Sequence, residues 1–322
     1  MGLASSLQSN MVTFLRSSYM GEPAKSKDLF SEKMTARFNV CNAKKEQEEL
    51  SCSNRDEFMK DLTTVAGLRH YIPRLVITFN QQDNNGITAD IEQQVWLKGE
   101  NGWHDVKSKG PRTAHVDEQS STRVFSDFDA KIEETSNRAV KRGKEGKVDD
   151  GVLEMVQRAF FDFWFSVYQG DPASSIDCFA KEGFKAEFTI NDKAVPGADN
   201  AEQYLAMAKK TSDALRWIQS FNLSVTSFSP KTNTMTVKYD QHLVVENKIE
   251  GKLVWLKMHS HGTENITYKL NEEKTQAVFT KIVCKETDEM EVMTPEEKEH
   301  LVNNIQEPET YSWWNPVGWF SK

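Results

Sequence analysis

The sequence predicts an α+β protein built from two tandem cone-shaped domains, each a curved antiparallel sheet wrapped around helices. Two observations predict this class. The same order of helical and strand-like segments occurs twice in the 322 residues, about 150 residues apart. Within the second copy the helices come first and the alternating strands follow, which is typical of α+β layers.

The first copy spans residues 8–135. Its first strand is predicted in LFSEKMTARFNV at 29–40. A helix with acidic residues near its start follows in SNRDEFMKDLTTVAGLRHYI, and alternating strands follow in RLVITFNQQDNNGITADIEQQVWL. Residues 136–150 are rich in charge and almost free of apolar side chains, so we expect a charged linker there.

The second copy spans residues 151–290. Its opening helix has apolar residues at spacings of three and four and stops at Gly170. A short helix, a strand in KAEFTIN, a helix over 201–217 capped by Asp199 or Asn200, and alternating strands complete it. The aligned positions are Phe30 with Phe179, Phe38 with Phe188, Leu68 with Leu215, Arg69 with Arg216, Thr88 with Thr236, Gln93 with Gln241, Val124 with Val278 and Phe125 with Phe279.

The second copy opens with the segment FFDFWFSVYQGDPASSIDCF and ends in long paired strands. This combination resembles the nuclear-transport-factor-2-like superfamily, in particular its SnoaL-like and scytalone-dehydratase-like branch. The resemblance covers the second half well and the first half loosely. It implies a cone whose open end is a pocket. Because this superfold includes hydratases, isomerases, cyclases and plain binders, it does not name a reaction.

Two histidines, His259 and His261, stand two apart in WLKMHSHGTENITY, so in a strand they point to one face. The resemblance implies that His261 lies in the pocket as the proton-transfer group, a role that suits imidazole near neutral pH. It also implies that Tyr168 donates a hydrogen bond to a substrate oxygen. Asp240 or His242 would orient the imidazole.

Departures from the family pattern leave the dehydratase reaction open. The family has an acid after the pocket tyrosine, where this chain has Gln169, and a histidine where it has Asp240. A surface or structural role for the histidines also stays open, because alternation does not decide which side of TVKYDQHLVV faces inward.

Further residues complete the predicted site. We expect His259, Trp217, Phe188 and Trp255 to contact the substrate. The aspartate and the histidines are of types that bind zinc or iron, but they lack a diagnostic spacing, so neither a metal nor a cofactor is expected. The predicted function is binding of a small, largely apolar molecule, with proton transfer of the dehydratase, isomerase or cyclase type.

The first copy lacks the paired histidines, so we expect it to serve as an internal pseudo-dimer partner for the second. Residues 291–322 form a capped helix, with Thr294 as cap and Glu297 completing a capping box, followed by an aromatic tail. That tail contains Trp313, Trp314, Trp319 and Phe320. The alternative function is a non-enzymatic interaction or transport module that docks through this tail.

Composition narrows the classes of partner. A formal net charge of -8 and no basic stripe argue against nucleic acid. No apolar run reaches the length of a membrane span and no secretory signal is visible, so a cytoplasmic protein is expected. The four cysteines are scattered, as is typical of reduced thiols. The start MGLASS matches an N-myristoylation pattern at Gly2, which would allow weak, reversible membrane contact.

Overall fold

A computed structural model of the chain describes residues 3, 5–83, 85–99, 102–117, 123–140 and 150–305. Gly2 and the aromatic tail beyond residue 305 lie outside the described residues.

The first half consists of helices and strands in alternating groups. They are α1 (Ser6–Tyr19), a 3₁₀ segment (Pro23–Leu29), β1 (Phe30–Cys41), β2 (Gln47–Cys52), α2 (Arg55–Leu68), β3 (Arg69–Asp83), β4 (Gly86–Gly99), β5 (Gly102–Val116) and β6 (Phe125–Val140). Helix α2 begins where the Asn54 side chain accepts a hydrogen bond from the Glu57 amide, 2.9 Å away.

The second half repeats this order and adds one helix. Its elements are α3 (Asp150–Gln169), a 3₁₀ segment (Pro172–Cys178), β7 (Lys185–Ile190), β8 (Lys193–Ala198), α4 (Ala201–Ala214), β9 (Leu215–Ser229), β10 (Thr234–Ile249), β11 (Lys252–Leu270), β12 (Ala277–Val292) and α5 (Pro295–Ile305). The predicted α+β class and the tandem arrangement are confirmed.

In the described residues one open sheet of twelve strands runs through both halves, in the order β2-β1-β6-β5-β4-β3-β9-β10-β11-β12-β7-β8. The halves join where β3 pairs antiparallel with β9, over residues 74–78 and 220–224. Val76 pairs with Asn222 at the centre of this contact, so the junction has local twofold symmetry. This arrangement fits the predicted internal pseudo-dimer.

Two glutamines tie the halves together reciprocally. Gln8 of α1 hydrogen-bonds both the backbone N–H and the C=O of Ile218 in β9, at 3.1 and 2.7 Å. Gln157 of α3 makes the same pair of bonds to Ile72 in β3, at 2.7 and 2.6 Å. Both glutamines are buried. Each therefore satisfies backbone groups that would otherwise be left without partners in the interior.

Element boundaries differ from the predictions at several places. Strand β6 continues to Val140 because residues 136–140 pair with β5, so part of the predicted linker is strand. Helix α4 ends at Ala214 rather than Trp217, because Leu215 already belongs to β9. The cap of α4 is Asn200, whose side chain accepts a hydrogen bond from the Gln203 amide.

The predicted capping box of α5 is confirmed. The Glu297 amide donates to the Thr294 hydroxyl at 3.2 Å, and the Thr294 amide donates to the Glu297 carboxylate at 3.0 Å. None of the helices within the described ranges combines the length and the apolar character needed to cross a membrane.

Candidate functional site

The second domain contains a cavity of about 580 Å³ between α3, α4 and one face of the sheet, called here the inner face. Its lining is mostly aromatic and aliphatic. Among the residues that contact it are Phe163, Trp164, Tyr168, Phe188, Tyr204, Met207, Leu243, Gln241, Glu264 and Glu286. A cavity of this size is typical of a site for a small organic molecule.

The contact of Tyr168 with the sheet shows which face of the sheet lines this cavity. Its hydroxyl donates a 2.8 Å hydrogen bond to the Gln241 side chain in β10, and both residues are buried. Burial, and then the nearby Glu264 and Glu286 carboxylates, raise the pKa of Tyr168 well above its ordinary value. Tyr168 therefore stays a neutral phenol that can donate a hydrogen bond.

Two carboxyl groups on the inner face, those of Glu264 and Glu286, have raised pKa values. Burial raises the pKa of Glu264 to about 7, although the Trp164 indole N–H, which donates to it at 3.3 Å, acts in the opposite direction. Burial and the neighbouring Asp288 raise the pKa of Glu286 to about 7, although the Ser260 hydroxyl donates to it. Both groups can therefore take up or release a proton near neutral pH.

The position of the neighbouring Tyr239 ring depends on a glycine. The Tyr239 ring lies 5.1 Å from the Trp164 ring, and its hydroxyl is 3.3 Å from the Cys284 sulfur. A side chain at Gly262 would place its first carbon 2.7 Å from the Tyr239 hydroxyl and 2.3 Å from the Lys285 carbonyl oxygen. The absence of a side chain at residue 262 therefore allows Tyr239 to lie against β11 and to contact Trp164 and Cys284.

The predicted histidine cluster lies on the opposite, outer face of the sheet. Because Gln241 faces inward, its neighbours Asp240 and His242 face outward. In β11 the buried Ser260 pairs with Gln241, so His259 and His261 also face outward. The structure thus brings these four residues together, but it separates all of them from Tyr168 and the cavity.

The remaining predicted contacts divide between the cavity and other surroundings. Phe188 lines the cavity. Trp217 is buried in β9, and neither it nor Trp255 is among the described residues that line the cavity. The Trp255 indole instead donates to Glu246 at 2.8 Å, beneath the ammonium group of Lys298. The lipidation prediction at Gly2 and the docking prediction for the aromatic tail concern residues outside the described ranges.

The first domain has a corresponding cavity of about 500 Å³. There the Tyr19 hydroxyl donates to Gln93 at 3.1 Å, which reproduces the tyrosine–glutamine pair of the second domain. The charge of the lining differs, because Arg69 and Arg112 line this cavity. Ser108 pairs with Gln93, as Ser260 pairs with the aligned Gln241. Arg112 lies four residues after Ser108 and Glu264 lies four residues after Ser260, so Arg112 and Glu264 occupy equivalent positions.

Sequence reasoning missed Glu264 and Glu286, although a signal was available. The segments YMGEPA at 19–24 and YQGDPA at 168–173 are a clear repeat that aligns Tyr19 with Tyr168. Combined with the Gln93–Gln241 alignment, this repeat suggests that both glutamines face their tyrosines. If Gln241 faces Tyr168, the alternation of side chains shows which residues of β10 face inward, and the pairing with β11 extends this assignment to that strand.

These features define a two-copy α+β protein with a ligand-sized cavity in each half. Solved structures with a similar fold include a ketosteroid isomerase-like protein from Erwinia carotovora atroseptica. It is 8% identical, with a TM-score of 0.29, and the match covers 44% of this chain and 97% of that one. Neither a family model nor a curated protein matches the sequence.

Two further similar structures come from the branches that the sequence resembles. A scytalone dehydratase-like protein from Novosphingobium aromaticivorans is 12% identical, with a TM-score of 0.29 and coverage of 43% of this chain and 87% of that one. A SnoaL-like protein from Jannaschia sp., described as a polyketide cyclase, is 10% identical, with a TM-score of 0.26 and coverage of 52% and 99%. The likeness concerns the fold.

Proposed function

We propose that the second-domain cavity binds a small, largely apolar molecule and that Glu264 and Glu286 exchange protons with it. The observation that carries the proposal is that buried Glu264 and partly buried Glu286, each with its pKa raised to about 7, line one mostly apolar cavity. Perturbed groups of this kind in a cavity are typical of sites of acid–base chemistry.

The lining favours a ligand with an apolar body and one neutral polar group. Aromatic rings and aliphatic side chains would bury the body of the molecule. A protonated carboxyl would donate a hydrogen bond to a ligand oxygen, and the Tyr168 hydroxyl oxygen, whose one proton goes to Gln241, would accept one from a ligand hydroxyl. An anionic ligand is disfavoured, because its charge would lie beside two carboxyls in a poorly hydrated space.

The carboxyl pair suits a reaction that removes one proton and delivers another. Near pH 7 each carboxyl is protonated in a large share of molecules and ionised in the rest, so one can act as acid while the other acts as base. Dehydration, isomerisation and cyclisation all need such transfers. The proposal rests on the cavity and its carboxyls, which replace His261 as the proposed proton-transfer group.

Binding can be measured by calorimetry with naphthol as a neutral probe and naphthoate as its anionic counterpart. Ala208→Trp fills the second-domain cavity, and we expect it to remove one naphthol site, an affinity loss of at least about tenfold. Leu62→Trp, which fills the first-domain cavity, is the matched control and should keep that site. Wild-type naphthol binding in Ala208→Trp would contradict the proposed location.

Chemistry can be measured separately with nitrobenzisoxazole, whose ring opens when a base removes its carbon-bound proton. We expect the rate of ring opening to rise with pH, with a midpoint near the pKa of about 7 of these two carboxyls. Glu264→Gln and Glu286→Gln should each slow it by at least about tenfold. Exposed Glu272→Gln should not change the rate. If the wild type opens the ring no faster than Ala208→Trp does, the cavity binds its ligand without proton transfer.

A further inference from the structure

The outer face of the second-domain sheet carries a cluster of metal-ligating side chains that the cavity does not use. One ligand atom from each of Asp240, His242 and His259 lies within 4.8 Å of the other two. Asp240 Oδ1 is 3.6 Å from His242 Nε2 and 3.4 Å from His259 Nε2. The three side chains come from two adjacent strands, in which His242 pairs directly with His259.

These separations suit a tetrahedral ion. Nitrogen and oxygen ligands at about 2.1 Å from zinc, at tetrahedral angles, lie about 3.4 Å apart. The two measured oxygen–nitrogen distances are close to that value. The two imidazole rings are stacked, with centroids 4.3 Å apart and an angle of 5° between their planes. Because these planes are nearly parallel, the rings must rotate about their side-chain bonds before both nitrogens point at one ion.

The nitrogen nearest the carboxylate has no hydrogen-bond partner. His259 Nε2 is buried and makes no hydrogen bond to the described residues, although it lies beside Asp240. Its other ring nitrogen, Nδ1, is 3.8 Å from the Glu289 carboxylate. A carboxylate at that nitrogen would keep the proton on Nδ1 and leave the Nε2 lone pair for a metal, as outer partners of zinc-bound histidines do.

A fourth group lies next to this cluster. The His261 ring is 5.1 Å from the His259 ring, and His261 pairs directly with Asp240 across the strands. His261 Nδ1 is likewise buried and makes no hydrogen bond to the described residues. Imidazole and carboxylate ligands together suit zinc and related divalent transition metals better than magnesium or calcium, which prefer oxygen.

The first domain has different chemistry at the same register positions. Glu92, Gln94, Lys107 and Lys109 stand where the second domain has Asp240, His242, His259 and His261. Arg74 forms an ion pair with Glu92 at 2.7 Å. Two ammonium groups and a guanidinium cannot ligate a cation. The duplicated fold therefore does not by itself require histidines at these positions.

We propose that Asp240, His242 and His259 bind a divalent transition-metal ion of the zinc class, with Glu289 as a positioning residue for His259. Three protein ligands leave a fourth coordination position for water, His261 or an external ligand. This site is separate from the cavity, so it neither needs nor tests the proton-transfer proposal.

Calorimetric titration of tag-free, chelator-treated full-length protein with Zn²⁺ tests the proposal. We expect one ion per chain, with affinity lower by more than about 100-fold in His242→Asn and His259→Asn, and by about tenfold in Glu289→Gln. His104→Asn is the matched control, because His104 bonds Asn137 in the first domain. It should bind as the wild type does.

Cobalt substitution separates this site from adventitious binding at cysteine. Co²⁺ should give tetrahedral d–d absorption without thiolate charge transfer, and the absorption should disappear in His259→Asn. The substituted side chains are partly exposed, so circular dichroism should show folded variants. A protein that binds no Zn²⁺, or whose Zn²⁺ binding survives in both histidine variants, overturns the proposal.

Discussion

The two halves of the molecule share one polar framework and differ in their charges. Tyr19–Gln93 and Tyr168–Gln241 are equivalent hydrogen-bonded pairs beneath equivalent cavities. Beside these pairs the first domain has a buried arginine, Arg112, where the second has a buried carboxyl group. The tyrosine–glutamine pairs are therefore common to both halves, and the charged side chains distinguish the two cavities.

The buried charges also differ in how well they are satisfied. Arg112 donates to the backbone carbonyls of Gly110, Pro111 and Lys131 at 2.9, 3.1 and 2.9 Å, so its guanidinium is held by the sheet. Glu264 accepts a 3.3 Å bond from Trp164. A tightly held cation is typical of a structural role, whereas a loosely held carboxyl with a raised pKa can exchange protons.

Removing either reciprocal glutamine should have the largest effect, and the two effects should be equal. Gln157→Met and Gln8→Met keep the volume but leave one backbone N–H and one C=O of Ile72 or Ile218 unpaired in the interior. We expect each to lower the free energy of unfolding by about 2–4 kcal/mol. Urea denaturation measures this. Exposed Gln219→Met is the control, and a large effect in only one half would break the symmetry argument.

Glu264→Gln should change how the free energy of unfolding depends on pH, an effect that comes from the second domain alone. In the folded protein the pKa of Glu264 is raised from 4.5 to about 7, so its protonated form favours folding. Its contribution is full below pH 4.5 and is lost as pH rises through 7, a change of about 3 kcal/mol. We expect Glu264→Gln to match the wild type near pH 4 and to exceed its stability by about 3 kcal/mol at pH 8.

Denaturant melts at both pH values measure this difference. Exposed Glu272→Gln serves as the control and should keep the wild-type dependence. A pH profile of Glu264→Gln parallel to that of the wild type would show that the carboxyl titrates at its ordinary value.

Replacing Tyr168 or Tyr19 by phenylalanine should lower stability less, and by the same amount in both halves. Tyr168→Phe and Tyr19→Phe each remove one hydroxyl that donates to a glutamine, at 2.8 and 3.1 Å. We expect a loss of about 1 kcal/mol in each, since one buried neutral hydrogen bond is lost while ring packing stays. Thermal melts of both variants measure it. An effect confined to Tyr168→Phe would mean that the first-domain pair is not part of a shared framework.

The repeat and the order of elements could be predicted from the sequence because apolar periodicity and turn residues encode them locally. The inward side of β10 could not be predicted from that strand alone, since both alternating sets of side chains contain apolar residues. A contact with a distant helix, Tyr168 to Gln241, decides it. His261 was consequently assigned to the wrong face. Glu264 was missed because buried carboxyls run against the pattern that locates a core.

The smallest effect should come from the outer face of the first domain. Arg74→Ser installs the residue that the second domain has at the matching position, Ser220, and removes the ion pair with Glu92. Both side chains are about half exposed, at 46% and 54%, so water already screens the pair. We expect the free energy of unfolding to change by less than about 0.5 kcal/mol. Urea denaturation at low and high salt measures it, and a loss as large as that in the glutamine variants would mean that the outer face also joins the halves.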